Sequence, residues 1–200
     1  MEKEKDLWNQ RYRENPTVYG SKPNEFFKQF IDTHKAGSLL LPAEGEGRNA
    51  LYAASKGWKV DAFDFSEEAR EKALKRAAER KLTIHYQTMR IQDFEPGKKY
   101  DAIALIYVHL PEGVRKEFHE KVYKALAPGG FLVLEAFAKE QLRNQSGGPK
   151  DKALLYDAPT ICGDFPFIHQ LYCGQKEVIL NEGPFHSGKA DVLQLVGQKF

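Results

Sequence analysis

Cysteine, long apolar runs and net charge are all scarce in this 200-residue chain, and each scarcity removes a class of protein. Two cysteines, Cys162 and Cys173, lack the spacing and the company of a zinc site, and they read as reduced, buried thiols. The longest apolar run, Ala102 to Val108, falls far short of the roughly 20 residues that span a bilayer. The opening Met1-Glu2-Lys3-Glu4-Lys5-Asp6 is charged throughout and lacks the apolar core of a secretory signal. A formal net charge of +2 leaves no broad electrostatic footprint for nucleic acid. The basic run Arg70 to Lys81 is interrupted by Glu71 and Glu79 and reads as a solvated helix face. These exclusions leave one soluble, cytoplasmic domain over residues 1–200, without metal, nucleic-acid or membrane partners, as a monomer or weak homodimer.

The hydrophobic pattern alternates between strand and helix. Phe26, Phe27, Phe30 and Ile31 form a stripe on a helix opening at Pro23 or Asn24. Strands are expected at Ser38–Pro42, Trp58–Phe63, Thr83–Gln87, Asp101–Val108 and Phe131–Ala136. Between them lie helices starting near Gly47, after the N-cap Ser66, and at Pro111, the last ended by Pro128-Gly129-Gly130. A loop-rich stretch follows, then two strands at Lys176–Asn181 and Ala190–Gly197 that read as a closing antiparallel pair. Five β-α units and a hairpin argue for an α/β, doubly wound sheet with right-handed crossovers. Ligands of such sheets gather at the carboxyl ends of the strands, where Glu44, Asp64, His109 and Glu135 fall.

The segment Leu39-Leu40-Leu41-Pro42-Ala43-Glu44-Gly45-Glu46-Gly47-Arg48-Asn49-Ala50 carries the chemistry. Glycines between strand and helix let backbone approach a ligand closely, and Asp64 ends the next strand, placed to accept from two ribose hydroxyls. Gly45 to Ala50 also fits the dinucleotide pattern G-x-G-x-x-A, which leaves an NAD(P)-dependent oxidoreductase open. A dinucleotide, however, lays its pyrophosphate on this turn, where Glu44 and Glu46 already sit. Like charges a few Å apart cost on the order of several kcal/mol in a partly desolvated site. A cationic sulfonium nucleoside suits two acids better than a diphosphate does.

With Trp8, Tyr12, Tyr19-Gly20, Pro23-Asn24, the turn Glu44 to Ala50, Asp64-Phe65-Ser66, His109-Leu110-Pro111 and Pro128 to Glu135, the chain resembles the class I S-adenosylmethionine-dependent methyltransferases, in particular the small tellurite-resistance-type group. The resemblance spans nearly the whole chain. It implies a mostly parallel, seven-stranded Rossmann-like sheet with an antiparallel C-terminal pair, and S-adenosylmethionine as cofactor. Leu41 stands where the family usually has an acid, Ala43 replaces its first glycine, and Glu44 holds a position commonly taken by cysteine. From these departures Glu44 is expected to take over the contact to the methionine ammonium. Arg90 occupies the position of the acid that often binds adenine, leaving Ile91 and Gln92 as substitutes. The expected cofactor-binding set is Glu44, Gly45, Glu46, Gly47, Arg48, Asn49, Asp64, Phe65, Ile91, Gln92, Tyr107 and Tyr19. Residues 1–36 would fold over the cofactor as a lid, with Trp8 and Tyr12 either closing the site or filling a core edge.

Methyl transfer to a small molecule asks for alignment and exclusion of water, with a base only for an acceptor that arrives protonated. His109, at the fourth strand's end, either takes such a proton or binds backbone. His186, in Gly183-Pro184-Phe185-His186-Ser187-Gly188, faces either pocket or solvent. Glu135 either orients His109 or lines the pocket. A tellurite- or selenite-like oxyanion, a thiol and an amine are all open as acceptor, as is a cofactor-binding sensor without catalysis.

Overall fold

The computed structural model describes residues 2–200, and side chains from Lys5 onward; Met1 and the side chains of the charged opening before Lys5 lie outside the described residues. In chain order the elements are α1 (Glu2–Glu14), α2 (Glu25–Thr33), β1 (Ser38–Pro42), α3 (Arg48–Ser55), β2 (Lys59–Asp64), α4 (Glu67–Glu79), β3 (His85–Thr88), β4 (Tyr100–Ile106), α5 (Glu112–Ala125), β5 (Leu126–Phe137), α6 (Ala158–Asp164), β6 (His169–Asn181) and β7 (Ser187–Gln198). The seven strands form one sheet in the order β3-β2-β1-β4-β5-β7-β6. Strands β1 to β5 run parallel, and β7 pairs antiparallel with both β5 and β6. The expected fold class is the observed one. Among the described residues no helix is long and apolar enough to cross a membrane.

Successive strand residues point to opposite faces, so the near-continuous apolar strands feed two cores. Leu39, Leu41, Ala102, Ala104 and Val133 pack beneath α2, α3 and α4 with Phe27, Phe30 and Leu51. Leu40, Ile103, Leu105, Leu132 and Leu134 meet Phe118 and Val122 of α5 and Ile161 of α6 on the other face. The strand order reverses between β1 and β4, and the crevice beyond their carboxyl ends holds the site.

Several boundaries differ from expectation, each for a local reason. Strand β4 ends at Ile106 rather than Val108, because Tyr107 takes a left-handed backbone with φ of 56°. Pro128-Gly129-Gly130 does not close a helix: α5 stops at Ala125 and these residues already belong to β5, where a Cβ on Gly130 would lie 2.9 Å from the Tyr100 carbonyl. Strand β6 starts seven residues earlier than Lys176, at His169, as an exposed edge without apolar alternation. The stretch expected to be loop contains α6, capped by the Asp157 side chain accepting from Thr160 N. Cys162 on α6 and Cys173 on β6 are free, half-buried thiols with their sulfurs 3.3 Å apart. The basic face of α4 is not merely solvated. Lys72 and Arg76 bind Glu46, Lys72 donates to the Tyr12 and Asn15 carbonyls, and Arg76 donates to that of Pro16.

Helix α6 is held to α5 by a buried charge cluster. Asp164 Oδ2 accepts from Arg115 Nε at 2.6 Å and lies 2.9 Å from His119 Nδ1, while His119 Nε2 is buried without a partner. Asp164→Ala would leave the Arg115 guanidinium buried and uncompensated. Such a loss typically costs about 3–5 kcal/mol, so a urea titration is expected to show a fall of that size; a change below about 1 kcal/mol would mean that water replaces the carboxylate.

Candidate active site

The floor of the crevice is the turn between β1 and α3. Ala43, Gly45 and Gly47 have φ of 51°, 61° and 80°, a left-handed succession that is strained at the alanine. A Cβ on Gly45 would lie 2.8 Å from Tyr12 Oη, and one on Gly47 would lie 2.8 Å from the Ala73 Cβ. The first glycine therefore admits the N-terminal segment, and the second lets α4 approach. Gly47 is the N-cap of α3 and has no side chain to offer the helix. Glu44 does that work from three residues upstream. Its Oε1 accepts from Asn49 N and Ala50 N, both at 2.7 Å, and its Oε2 accepts from Asn49 Nδ2 at 3.2 Å. Burial pushes the Glu44 carboxyl up to about 7, against the pull of these donors and of Arg48. Across the turn, Asp64 Oδ2 accepts from Gly45 N at 3.0 Å and Oδ1 from Ser66 N at 2.9 Å, and burial raises this carboxyl to about 6.

A cavity of ≈ 580 Å³ opens above this floor, within the range of small-ligand sites. Of the expected cofactor set, Glu44, Gly45, Arg48, Asn49, Asp64, Phe65, Ile91, Gln92, Tyr107 and Tyr19 line it. Glu46 and Gly47 are off its wall. Glu46 turns away to accept from Val18 N at 2.7 Å and to pair with Lys72 and Arg76, and Gly47 packs on Ala73. Arg90, beside Ile91 and Gln92 on the cavity wall, is exposed and paired bidentately with Asp93. Trp8, Arg11, Tyr12 and Tyr19 form the roof, with the Arg11 guanidinium 4.5 Å from the Trp8 ring centroid and 5.1 Å from that of Phe185.

At the far end His109 is fully engaged by backbone. Its Nδ1 donates to the Leu154 carbonyl at 2.7 Å, and its Nε2 accepts from Phe137 N at 3.2 Å. Burial lowers its pKa to about 4. With both nitrogens taken, His109 cross-links the β4 exit, the β5 end and the loop before α6, and it is not placed to remove a proton. Glu135 does not orient it. The Glu135 oxygens accept from Asn24 Nδ2 at 2.6 Å, from Tyr107 Oη at 2.8 Å and from Gln194 Nε2. His186 faces the cavity rather than solvent, its ring 4.4 Å from that of Tyr19 and 4.7 Å from that of Tyr107. Gly147 and Gly148 line the same end; a Cβ on either would come within 2.7 Å of His186 Cδ2 or Phe137 Cδ2 respectively, so only glycines let this loop lie on the rings.

One residue of this region escaped the sequence reading. Glu182 Oε2 accepts from Arg48 Nη2 at 2.9 Å and lies 3.3 Å from His186 Nδ1, and Oε1 accepts from Asn24 Nδ2 at 3.1 Å. The one available signal was an acid four residues before a histidine across a glycine turn.

Residues 42–130, a little under half the chain, match a family model described as a methyltransferase domain. No curated protein matches the sequence closely enough to count as a relative. Among solved structures the fold is similar to that of TehB from Haemophilus influenzae, with a TM-score of 0.76 and 15% identity, covering 89% of this chain. The chain spans 63% of the length of that protein. The N-methyltransferase NodS from Bradyrhizobium japonicum, solved with S-adenosyl-L-homocysteine, gives a TM-score of 0.71 at 14% identity over 97% of both chains. Magnesium protoporphyrin IX methyltransferase from Synechocystis, solved with S-adenosylmethionine, gives 0.68 at 17% identity over 98% of this chain and 95% of that one.

The His109 bonds carry a pH signature. The fold favours the neutral ring, so its contribution is complete above the unfolded value of about 6.5 and is lost as pH falls toward the folded value of about 4. Wild type is expected to lose on the order of 3 kcal/mol from this residue between pH 7 and pH 4. In denaturant titrations its advantage over His109→Gln should therefore shrink on acidification; an advantage that is constant with pH would exclude the assigned bonds.

Proposed function

We propose that the chain is a class I, S-adenosylmethionine-dependent methyltransferase that methylates a small molecule held inside the cavity beneath its N-terminal segment. The observation that carries this reading is the Glu44 carboxylate on the first turn of α3. A dinucleotide needs those backbone N–H groups for its pyrophosphate, and here Asn49 N and Ala50 N already donate to Glu44. A diphosphate would have to displace a buried carboxylate and then face it. That argues against the oxidoreductase alternative and suits a cofactor bearing a sulfonium and an ammonium.

When bound, S-adenosylmethionine supplies an electrophilic methyl group on its sulfonium. The chain's own residues bind and orient it. Asp64 has a lone pair on each oxygen beyond those used by Gly45 and Ser66, for the ribose hydroxyls. Glu44 Oε2 accepts a single bond at 3.2 Å and keeps capacity for the ammonium. Ile91 and Gln92 border the adenine end. Trp8, Tyr12 and Tyr19 give aromatic faces to the cation, each contact being worth about 1 kcal/mol, and residues 1–36 act as the lid that keeps water out. The resemblance suggests a tellurite- or selenite-like oxyanion as acceptor, and thiols and amines are as open chemically. We place the activity in the cytoplasm, in a monomer or weak homodimer.

Asp64→Ala is expected to weaken S-adenosylmethionine binding by about 10- to 100-fold, the loss of hydrogen bonds from a charged group. Isothermal calorimetry on a folded variant measures this, and an unchanged affinity would remove Asp64 from the site. Formation of S-adenosylhomocysteine in an acceptor screen tests the activity itself; heat of cofactor binding without product from any acceptor would leave the sensor reading.

A further inference from the structure

The acceptor end of the cavity is built for a particular protonation state. His186 is 6% exposed and packs among the rings of Tyr19, Tyr107 and Phe137. Its Nδ1 lies 3.3 Å from Glu182 Oε2. A carboxylate only accepts, so Nδ1 carries the hydrogen and Nε2 keeps its lone pair. Nε2 has no hydrogen-bond partner among the described residues, yet it is not sealed from the cavity as His119 Nε2 is sealed in its cluster. Glu182 is itself fixed by Arg48 at 2.9 Å and by Asn24 at 3.1 Å.

Resting on the methyltransferase reading, we infer that the acceptor arrives as an uncharged thiol or phenol with an apolar body, that His186 Nε2 removes its proton, and that Glu182 is the positioning residue which holds His186 in the required tautomer. The pair left on sulfur or oxygen when the proton moves to Nε2 forms the new bond to the methyl carbon. The carbon–sulfonium bond breaks with its electrons passing to sulfur, and the imidazolium returns its proton to solvent. No other co-reactant is needed.

Charge at this end argues against an oxyanion. The groups facing His186 are Glu182 on its own hairpin, Arg48 from α3, Tyr19 and Arg11 from the N-terminal segment, and Tyr107 and His109 from the β4 exit; Glu135 on β5 accepts from Tyr107 Oη and is off the cavity wall. Glu135 and Glu182 share the Asn24 amide, at 2.6 and 3.1 Å, and Arg48 is spent on Glu182. Arg143 pairs with Asp191 and is not on the wall. Arg11 lies across the Trp8 and Phe185 rings in the roof. Of the charged groups acting on the His186 ring the basic one is Arg48, already neutralised by Glu182, so with Arg11 held in the roof the wall beside Nε2 offers an oxyanion no free cation among the described residues. Val108, Phe137, Leu154 and Phe185 instead offer apolar walls. Burial lowers the His186 pKa despite Glu182, which leaves the ring neutral and able to accept at neutral pH.

Phenylmethanethiol, neutral at pH 7, and thiophenol, already ionised there, separate the base from the scaffold. Wild type is expected to methylate both, with kcat/KM for phenylmethanethiol falling on the acid side as His186 protonates. His186→Gln should lose about 100-fold or more with phenylmethanethiol, but less than about threefold with thiophenol, which needs no base. Glu182→Gln should lower kcat for phenylmethanethiol alone and move the acid limb to lower pH. Without any cofactor, nitrogen-15 spectra of the imidazole should show the Nδ1–H tautomer in wild type and a titration midpoint lower by about one pH unit in Glu182→Gln. Equal penalties on the two thiols, or an Nε2–H tautomer in wild type, would overturn the base assignment. Turnover of selenite with neither thiol methylated, or cofactor binding without transfer to either thiol, would overturn the acceptor class. Failure of wild type to bind S-adenosylmethionine at all would instead defeat the underlying methyltransferase reading, and calorimetry reports that separately.

Discussion

A carboxylate folded back onto its own helix governs what this crevice can hold. Helix α3 begins at a glycine that offers no capping side chain, so its first N–H groups need an acceptor from elsewhere. In many strand-turn-helix units that acceptor is a ligand phosphate. Here Glu44 supplies it internally, and the anion site is filled before any ligand arrives. Asp64 stands on the opposite side of Gly45, giving a floor with two buried carboxylates. Glu46, the third acid of the turn, adds nothing to that field, because Lys72 and Arg76 neutralise it beneath α4. The acidity of the floor thus comes from two residues and from the direction in which the third one turns.

The same economy of donors organises the other end. Asn24 caps α2 by accepting from Phe27 N at 2.9 Å, its backbone N–H donates to Asn49 Oδ1 at 2.9 Å, and its two amide hydrogens serve Glu135 and Glu182. One residue therefore connects the floor next to Glu44 with Glu135 and Glu182. Rotating this buried amide would take one hydrogen bond from each carboxylate, at about 1.5–3 kcal/mol for each bond to a charged group. That constraint sets where Glu182 stands, and Glu182 in turn sets the tautomer of His186.

The fold was largely legible because its signals are local. Apolar strands of five to seven residues, a serine N-cap before α4 and glycines at turns each declare themselves within a few positions. What escaped was decided by partners distant in sequence. His109 sits where a functional histidine would be expected, and only the Leu154 carbonyl, 45 residues on, and Phe137 N show that both nitrogens are occupied. Glu46 looked like a pocket residue until α4 brought Lys72 and Arg76 beneath it. Glu182 sits in a polar hairpin that carries no periodic pattern, and its importance comes from Arg48, 134 positions away. Strand β6 was cut short because an exposed edge needs no apolar alternation. The capping signal for α6, Asp157 ahead of Pro159, was present and simply outweighed by the surrounding turn residues.

The N-terminal segment covers the cavity through contacts of very different strength. The N-terminal segment is tied to α4 through Arg13 with Glu68 and Lys5 with Glu67, pairs exposed enough to contribute about 0–1 kcal/mol each. Its stronger ties are buried or aromatic: Val18 N on Glu46, and the Tyr19 ring against His186 and Phe185. An aromatic pair is worth about 0.5–1.5 kcal/mol beyond its buried area. Where the chain meets the β6–β7 hairpin, a Cβ on Gly183 would lie 2.5 Å from Gly20 N, so two glycine backbones touch with no side chain between them. The segment's backbone is further clamped by Lys72 on the Tyr12 and Asn15 carbonyls and by Arg76 on that of Pro16, which anchors the roof to α4. Tyr19 lines the cavity and packs on the Phe185 and His186 rings at once, so it joins the roof to the β6–β7 hairpin.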